Sequence, residues 1–388
     1  MWERLKFPNA IVSRGTSMEK KIIIAIVVAA IVVTGMVAAA LLLSMGGKGG
    51  AVSYITVPPK DMRAALSTGQ VDAYIAWEPY VSDSVVGGAG EILMWSSEIM
   101  PNHPCCVVLV RNAFLNGPNG AELTTRFVKA HIEANEWMSD ALQHPTGSNY
   151  TLLINMAVQF TARNETVVKA AFDHIKFGYE MGSKFRSDLE QFTDMYIETN
   201  MTQSSKLTER GYSSVSDFVS KYANGTYLDQ ASNIAPSSTI INPSSPIKLG
   251  YLLGDMHQMA QVVAQNKSIV AGKSIFEKYG LNVESATGAP FANGGAEMTG
   301  FAAGNVDIGY LGAPPAILQH LNANVGTTIV AQANSEGSGL VVKIGSGITS
   351  LKDLVNKTVA QPGESSIQFL LLKMALEREG LDLKLKMS

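Results

Sequence analysis

Cysteine is almost missing from this chain: two occur in 388 residues, Cys105 and Cys106, side by side. Adjacent cysteines build no disulfide framework and show none of the paired spacings of a zinc finger. With VVLV behind them they read as the start of a buried strand, and no metal ligand is expected. Charge is also sparse and balanced. Charged residues make up 16% of the chain, 30 Lys and Arg stand against 33 Asp and Glu, and the net charge is −3. With a pI near 6.1 there is no basic field for nucleic acid, and that partner class is set aside. P-loop, nucleophile elbow and paired carboxylates are missing too, so neither an enzyme nor a cofactor is expected.

What the chain does have is one long apolar run. Residues 22–45 carry no charge and are long enough to cross a bilayer core of about 30 Å as a helix. Arg4, Lys6, Arg14, Lys20 and Lys21 precede the run and Lys48 alone lies close behind it. The positive-inside rule therefore places residues 1–21 in the cytoplasm and the large remainder outside, as a single-pass protein of the cell membrane. The run exceeds a usual signal-peptide core, which favours an uncleaved anchor over a cleaved leader. Six Asn-x-Ser/Thr triplets, at Asn149, Asn164, Asn200, Asn224, Asn266 and Asn356, are compatible with an exterior domain and add little weight.

Behind a glycine-rich tether at 46–53 come two α/β runs separated by helices. Residues 54–100 alternate strand and helix signals, 121–222 show apolar residues at helical spacing, and 229–246 are rich in Ser, Pro and Asn, which is linker composition. A second α/β run begins at Ile247. Its most telling stretch is NGGAEMTGFAAGNVDIGYLGAPPAI, residues 293–317. Gly294 and Gly295 open a helix whose Met298, Phe301 and Ala302 share one face; VDIGYL is a buried strand; and Gly312, Ala313 and Pro314 open the next helix. In open α/β sheets, ligands bind beyond the carboxyl ends of strands, against helix N-termini whose amides favour anions. Close packing alone would also explain these glycines.

The half from Ile247 onward, through IKLGYLLGDMHQMA, NGGAEMTGFAAGNVDIGYLGAPPA, ANSEGSGLVV and SLKDLVNKTVAQPGESSIQFLLL, resembles the amino-terminal part of solute-binding proteins of nitrate, sulfonate and taurine ABC importers. That class is similar to thiamine-pyrimidine precursor binding proteins. The half from Tyr54 to about Tyr227, through PPKDMRAALSTGQVDAYIAWEPY and PNHP followed by VVLVRNAFL, resembles the carboxyl-terminal part of the same family. The order is inverted, so the chain looks circularly permuted, with KLKMS leading into YITVPP. Two incomplete copies in tandem or a misjoined reading frame would be the competing explanations.

The resemblance implies a bilobed, type II periplasmic-binding-protein-like α/β fold. Residues 54–100 and 349–388 would form one lobe, and residues 101–228 and 247–348 the other with the hinge strands. Residues 229–246 would join the family's usual termini. It also implies capture of a small anionic solute and delivery to ABC permease and ATPase subunits. A membrane-anchored sensing module, or a relative of the thiamine-precursor proteins and their synthases, is the alternative. Cys105 and Cys106 do not reproduce the cysteine-rich motif of the synthases.

The candidate ligand-binding residues are Gly254, Asp255 and His257 at the end of the first strand of the second run, then Gly294, Gly295, Gly312 and Ala313 as amide donors. Ser338, Ser365 and Ser366 are hydroxyl donors placed to face each other across the lobes, and Trp77 with Glu78 forms an aromatic wall with a polar handle. Ser365, at capping-box spacing from Gln368, reads as the helix cap, which leaves Ser366 for ligand. Glu78 could instead cap its own helix.

Overall fold

Two sheets organise the chain, and the apolar runs explain where their strands lie. The computed structural model describes residues 49–386; the expected anchor at 22–45 lies outside the described residues. Among the described residues no helix is long and apolar enough to cross a membrane. In chain order the strands are β1 (Ala51–Thr56), β2 (Ala73–Trp77), β3 (Gly90–Trp95), β4 (Cys106–Arg111), β5 (Ile175–Phe177), β6 (Ile247–Gly250) and β7 (Val283–Ser285). These are followed by β8 (Ile308–Gly312), β9 (Thr327–Gln332), β10 (Asn334–Glu336), β11 (Ser338–Lys343), β12 (Thr358–Gln361) and β13 (Asp382–Leu385).

One sheet has the order β13-β1-β12-β2-β11-β3 and the other β7-β6-β8-β4-β9, while β10 and β5 make a small ribbon. AYIAW in β2 is buried throughout, as is CVVLV in β4. Such unbroken apolar runs need cover on both faces, which helices supply. By contrast β1 alternates, with Val52 and Tyr54 inward. Each apolar side chain fully buried in this way contributes roughly 1.5–3 kcal/mol. The longest helix, Gly120–Gln143, buries Leu123, Phe127, Ala130, Ala134, Met138 and Ala141 on one stripe, the three-and-four spacing that lets a helix lie on a core. It ends at His144, directly before Pro145, a residue that disfavours a helical conformation in the one before it.

Head and tail share the first sheet. β1 runs parallel to β12 on one side and to β13 on the other, with Tyr54 opposite Leu385. The tail strand therefore lies beside β1 and not in line with it, which corrects the expected head-to-tail seam between KLKMS and YITVPP. The expected lobe limit at 348 also moves. β11 leaves the five-stranded sheet and pairs antiparallel with β2 and β3, because the run SGLVVK is apolar enough to be buried between them. A short helix, Ser96–Ile99, lies between β3 and β4. Much of the linker composition at 229–246 is pinned to the surface: Ser237 and Ile241 donate backbone bonds to Lys278 and Gly280, and the Asn242 side chain bridges to the backbone of Asn282.

Candidate functional site

Between the two sheets lies a cleft of about 160 Å³ whose walls come from both. Thr56, Trp77, Ser365, Ser366 and Gln368 stand on the six-stranded side, and Cys105, Cys106, Asp255, His257, Gly294 and Gly312 on the other. The volume is well below the ~300–1,000 Å³ of drug-sized pockets, so it suits a small solute. A wider groove of about 680 Å³ runs past Glu136, Asp140 and Tyr179, but it is open and carries no buried donor without a partner.

The upper walls are built for an acceptor. Trp77 ends β2 and is 5% exposed, yet its indole nitrogen is buried with no hydrogen-bond partner among the described residues. Opposite, Asn293 caps the helix Gly294–Ala302 by accepting from the Ala296 N–H at 3.0 Å. First-turn N–H groups of a helix have no partners within it, and Gly294 and Gly295 add no side chain to cover theirs. Gly294 is also needed for packing, since a Cβ there would meet the Pro315 ring at 2.6 Å. The helix Ile367–Arg378 brings a second N-terminus, capped by Ser366, whose hydroxyl accepts from the Phe369 N–H at 3.2 Å.

The floor is a cluster of titratable groups. Asp255 caps a single turn by accepting from the His257 N–H at 3.0 Å, and its other oxygen accepts from Gln258 Nε2 at 3.1 Å. The His257 ring donates from Nε2 to the Gly337 carbonyl at 2.9 Å, which turns Nδ1 toward Cys105 Sγ at 3.2 Å. A hydrogen bond from Cys106, against the opposing effect of burial and helped by the His257 charge, holds the Cys105 thiol well below the usual thiol range. Burial pushes the Cys106 thiol up. Burial works against a charge on His257, but the Cys105 sulfur and the Asp255 carboxylate outweigh it and hold the imidazole up at about 9. Asp255 is raised by burial to about 6, a rise limited by the His257 charge.

Eight of the twelve candidate residues meet at this cleft: Trp77, Asp255, His257, Gly294, Gly295, Gly312, Ser365 and Ser366. The other four do not line it. Gly254 occupies a left-handed turn packed near Tyr80 and Thr161. The Ala313 N–H is consumed by the Cys105 carbonyl at 2.8 Å. Glu78 is fully buried and turned back on its own helix, accepting from the Ser82 N–H and hydroxyl at 3.0 and 2.8 Å. Ser338 lies behind the wall and accepts from Gln368 Nε2 at 2.9 Å; it shares a half with Ser365 and does not face it across the cleft.

The two serines also exchange their expected roles. Ser366 is the cap, because the helix begins at Ile367, and Ser365 faces the cleft while its carbonyl accepts from the Tyr196 hydroxyl of the other half at 2.9 Å. Cys105, Cys106, Asn293 and Gln368 were not among the expected residues. The cysteines reach the cleft through strand pairing that no local pattern signals: β4 pairs antiparallel with β8, so its first residue, Cys106, falls opposite Gly312, at the strand end already marked as a binding position. Ala302, expected on the buried helical face, is exposed.

Comparison with known proteins agrees with a binding cleft. Curated proteins with "binding protein" in their names, from Brucella abortus (strain 2308), Brucella suis biovar 1 (strain 1330) and Brucella melitensis biotype 1, each align over 146 residues at 30% identity. That covers 38% of this chain, and the chain spans about 41% of the length of those relatives. A profile of the NMT1-like family matches residues 11–147 and 242–387, well over half of the sequence. The chain belongs to the NMT1-like family.

Proposed function

We propose that this protein is the extracytoplasmic solute-binding component of an ABC importer. It captures a small anionic solute of the nitrate, sulfonate or taurine kind between its halves and delivers it to a permease with its ATPase. The observation that carries the reading is the buried Trp77 indole N–H, without a partner among the described residues, in the wall of a small cleft rimmed by the N-termini of the helices Gly294–Ala302 and Ile367–Arg378. Donors preset in a narrow cleft favour an acceptor-bearing, negatively charged ligand. Among the described residues no lysine or arginine lines the cleft, so the positive field comes from helix N-termini and from His257, whose imidazole is held up at about 9, and multivalent anions are disfavoured.

Opening and closing would use the contacts that join the halves beside the cleft: the Tyr196 hydroxyl to Ser365 and the Tyr80 hydroxyl to the Leu253 carbonyl, 2.9 and 2.8 Å. Hinge closure around a ligand is the motion such two-part architectures use. The reading includes anchoring of the protein to the outer face of the cell membrane through residues 22–45 and a permuted order of the two halves, the latter supported by the shared sheet of β1, β12 and β13.

Thermal-shift measurements on the full-length chain with nitrate, bicarbonate, alkylsulfonates, taurine and pyrimidines test it. A ligand at a hundred times its Kd stabilises the folded state by about 2.7 kcal/mol, a shift of several degrees. Trp77→Phe keeps the ring and removes the donor, and is expected to weaken that ligand by roughly 2- to 10-fold, the worth of one hydrogen bond. No shift with any of these solutes, or an unchanged affinity in Trp77→Phe, would defeat the proposal.

A further inference from the structure

The floor of the cleft collects more metal-ligating atoms than solute capture requires. Cys105 and Cys106 come from the start of β4, and Asp255 and His257 from a turn about 150 positions away in the sequence. One ligand atom from each of Cys105, Cys106 and His257 lies within 4.8 Å of the others, and all three residues are buried. Asp255 lies beside this group, with its Oδ2 3.7 Å from Cys106 Sγ and its Oδ1 3.5 Å from His257 Nδ1.

These separations are those of a coordination shell. Zinc bonds of about 2.0–2.1 Å to nitrogen or oxygen and 2.3 Å to sulfur, arranged tetrahedrally, place neighbouring ligand atoms roughly 3.3–3.8 Å apart. Cys105 Sγ–His257 Nδ1 is 3.2 Å, and Asp255 presents Oδ1 at 3.5 Å to His257 and Oδ2 at 3.7 Å to Cys106, so an ion held by the two cysteines and His257 would draw one Asp255 oxygen toward it. The supporting contacts also match. A metal-binding imidazole normally gives its second N–H to a carbonyl or carboxylate, which fixes the ring and leaves the ligating nitrogen facing the ion. His257 does this with the Gly337 carbonyl at 2.9 Å, and Asp255 is steadied by Gln258 Nε2 at 3.1 Å.

We infer that Cys105, Cys106, Asp255 and His257 form a binding site for one borderline-soft divalent cation, with zinc as the reference ion. Two sulfurs and an imidazole select zinc-like ions over the hard cations calcium and magnesium, which take oxygen ligands. On binding, the ion replaces the protons otherwise carried by the Cys106 thiol and the His257 Nδ1, and these are released to solvent. The site rests on the four side chains alone. Because two protons leave as the divalent ion enters, the net charge beneath the solute proposed above is unchanged.

The test uses the full-length chain, kept reduced with a phosphine, stripped by a chelator and titrated with zinc against a chromophoric zinc indicator in the absence of any solute. One zinc per chain is expected, with cobalt substituting to give a thiolate-to-metal charge-transfer band. Cys105→Ser, Cys106→Ser and Asp255→Asn should each weaken zinc by on the order of 10- to 100-fold or more, and Cys105→Ser with Cys106→Ser together should abolish the cobalt band. His144→Ala, at the exposed Asp140–His144 pair, should change nothing. Absence of zinc binding, or binding undiminished when both cysteines are replaced, would overturn the inference. Should the double variant fail to fold, the wild-type chain still decides: zinc should protect both thiols from alkylation by a maleimide, and equal alkylation with and without zinc would sink the site. Because no solute is added, a negative zinc result leaves the solute-capture reading standing, and the converse holds.

Discussion

Replacing Gly337 with alanine should destabilise the protein through the site itself. Gly337 sits between β10 and β11 with φ +80°, and its carbonyl accepts from both the Glu78 N–H and His257 Nε2, each at 2.9 Å. It thereby ties a residue of the six-stranded half to one on the cleft floor. A left-handed backbone is unfavourable for an L-residue by roughly 1–2 kcal/mol. In addition, a Cβ would overlap His257 Nε2 and stand 2.9 Å from Ile175 Cγ1, and forced shifts of packed side chains cost about 1–3 kcal/mol. The sum is about 2–5 kcal/mol. Gly345→Ala supplies the control, since Gly345 has φ +68° with no atom within 4 Å of the added carbon, so only the backbone term of about 1–2 kcal/mol applies. At about 2 °C per kcal/mol for a chain of this size, Gly337→Ala should lower Tm by about 4–10 °C and Gly345→Ala by about 2–4 °C. Urea and thermal unfolding of the full-length variants measure both. Equal losses in the two would refute the claim that Gly337 is shaped by the imidazole it holds.

Two further outcomes follow from buried groups and caps. His131 is fully buried between the Tyr310 hydroxyl at 2.9 Å and the Gln332 carbonyl at 2.8 Å, and burial lowers its pKa to about 4. The unfolded chain therefore takes up this proton first, so the stabilisation is complete above pH 6.5 and is lost as pH falls toward 4, by at most about 3 kcal/mol. Glu78, raised by burial to about 7, acts in the opposite sense. It cancels when wild type is compared with His131→Gln by denaturant unfolding across that range, and a difference independent of pH would contradict the neutral-histidine reading. Ser366→Ala should lower stability by about 1 kcal/mol through the lost cap. Ser365→Ala should stay within about 0.5 kcal/mol of wild type while weakening the solute; reversed effects would mean that the cap assignment is wrong.

Local pattern decided much of this architecture. Unbroken apolar runs such as AYIAW and VDIGYL specify strands covered on both faces, and NGG ahead of AEMTGF specifies a helix start with bare amides, since periodicity and backbone freedom are properties of neighbouring residues. Trp77 could be placed at the end of its strand for the same reason. Where a helix begins is less legible: Ser365 and Ser366 are equivalent as caps until the backbone commits one of them to the non-helical conformation that a cap requires. Partner choice between strands is not local at all. The β11 run SGLVVK could lie in either sheet, and only competition for the slot between β2 and β3 assigns it to the six-stranded one. The meeting of Cys105 and Cys106 with Asp255 and His257 is of the same kind. The sequence by itself determined the strands and the residues bordering them; the tertiary structure alone decided which strand ends converge, because contacts between segments about 150 residues apart depend on sheet order, which no local run of side chains encodes.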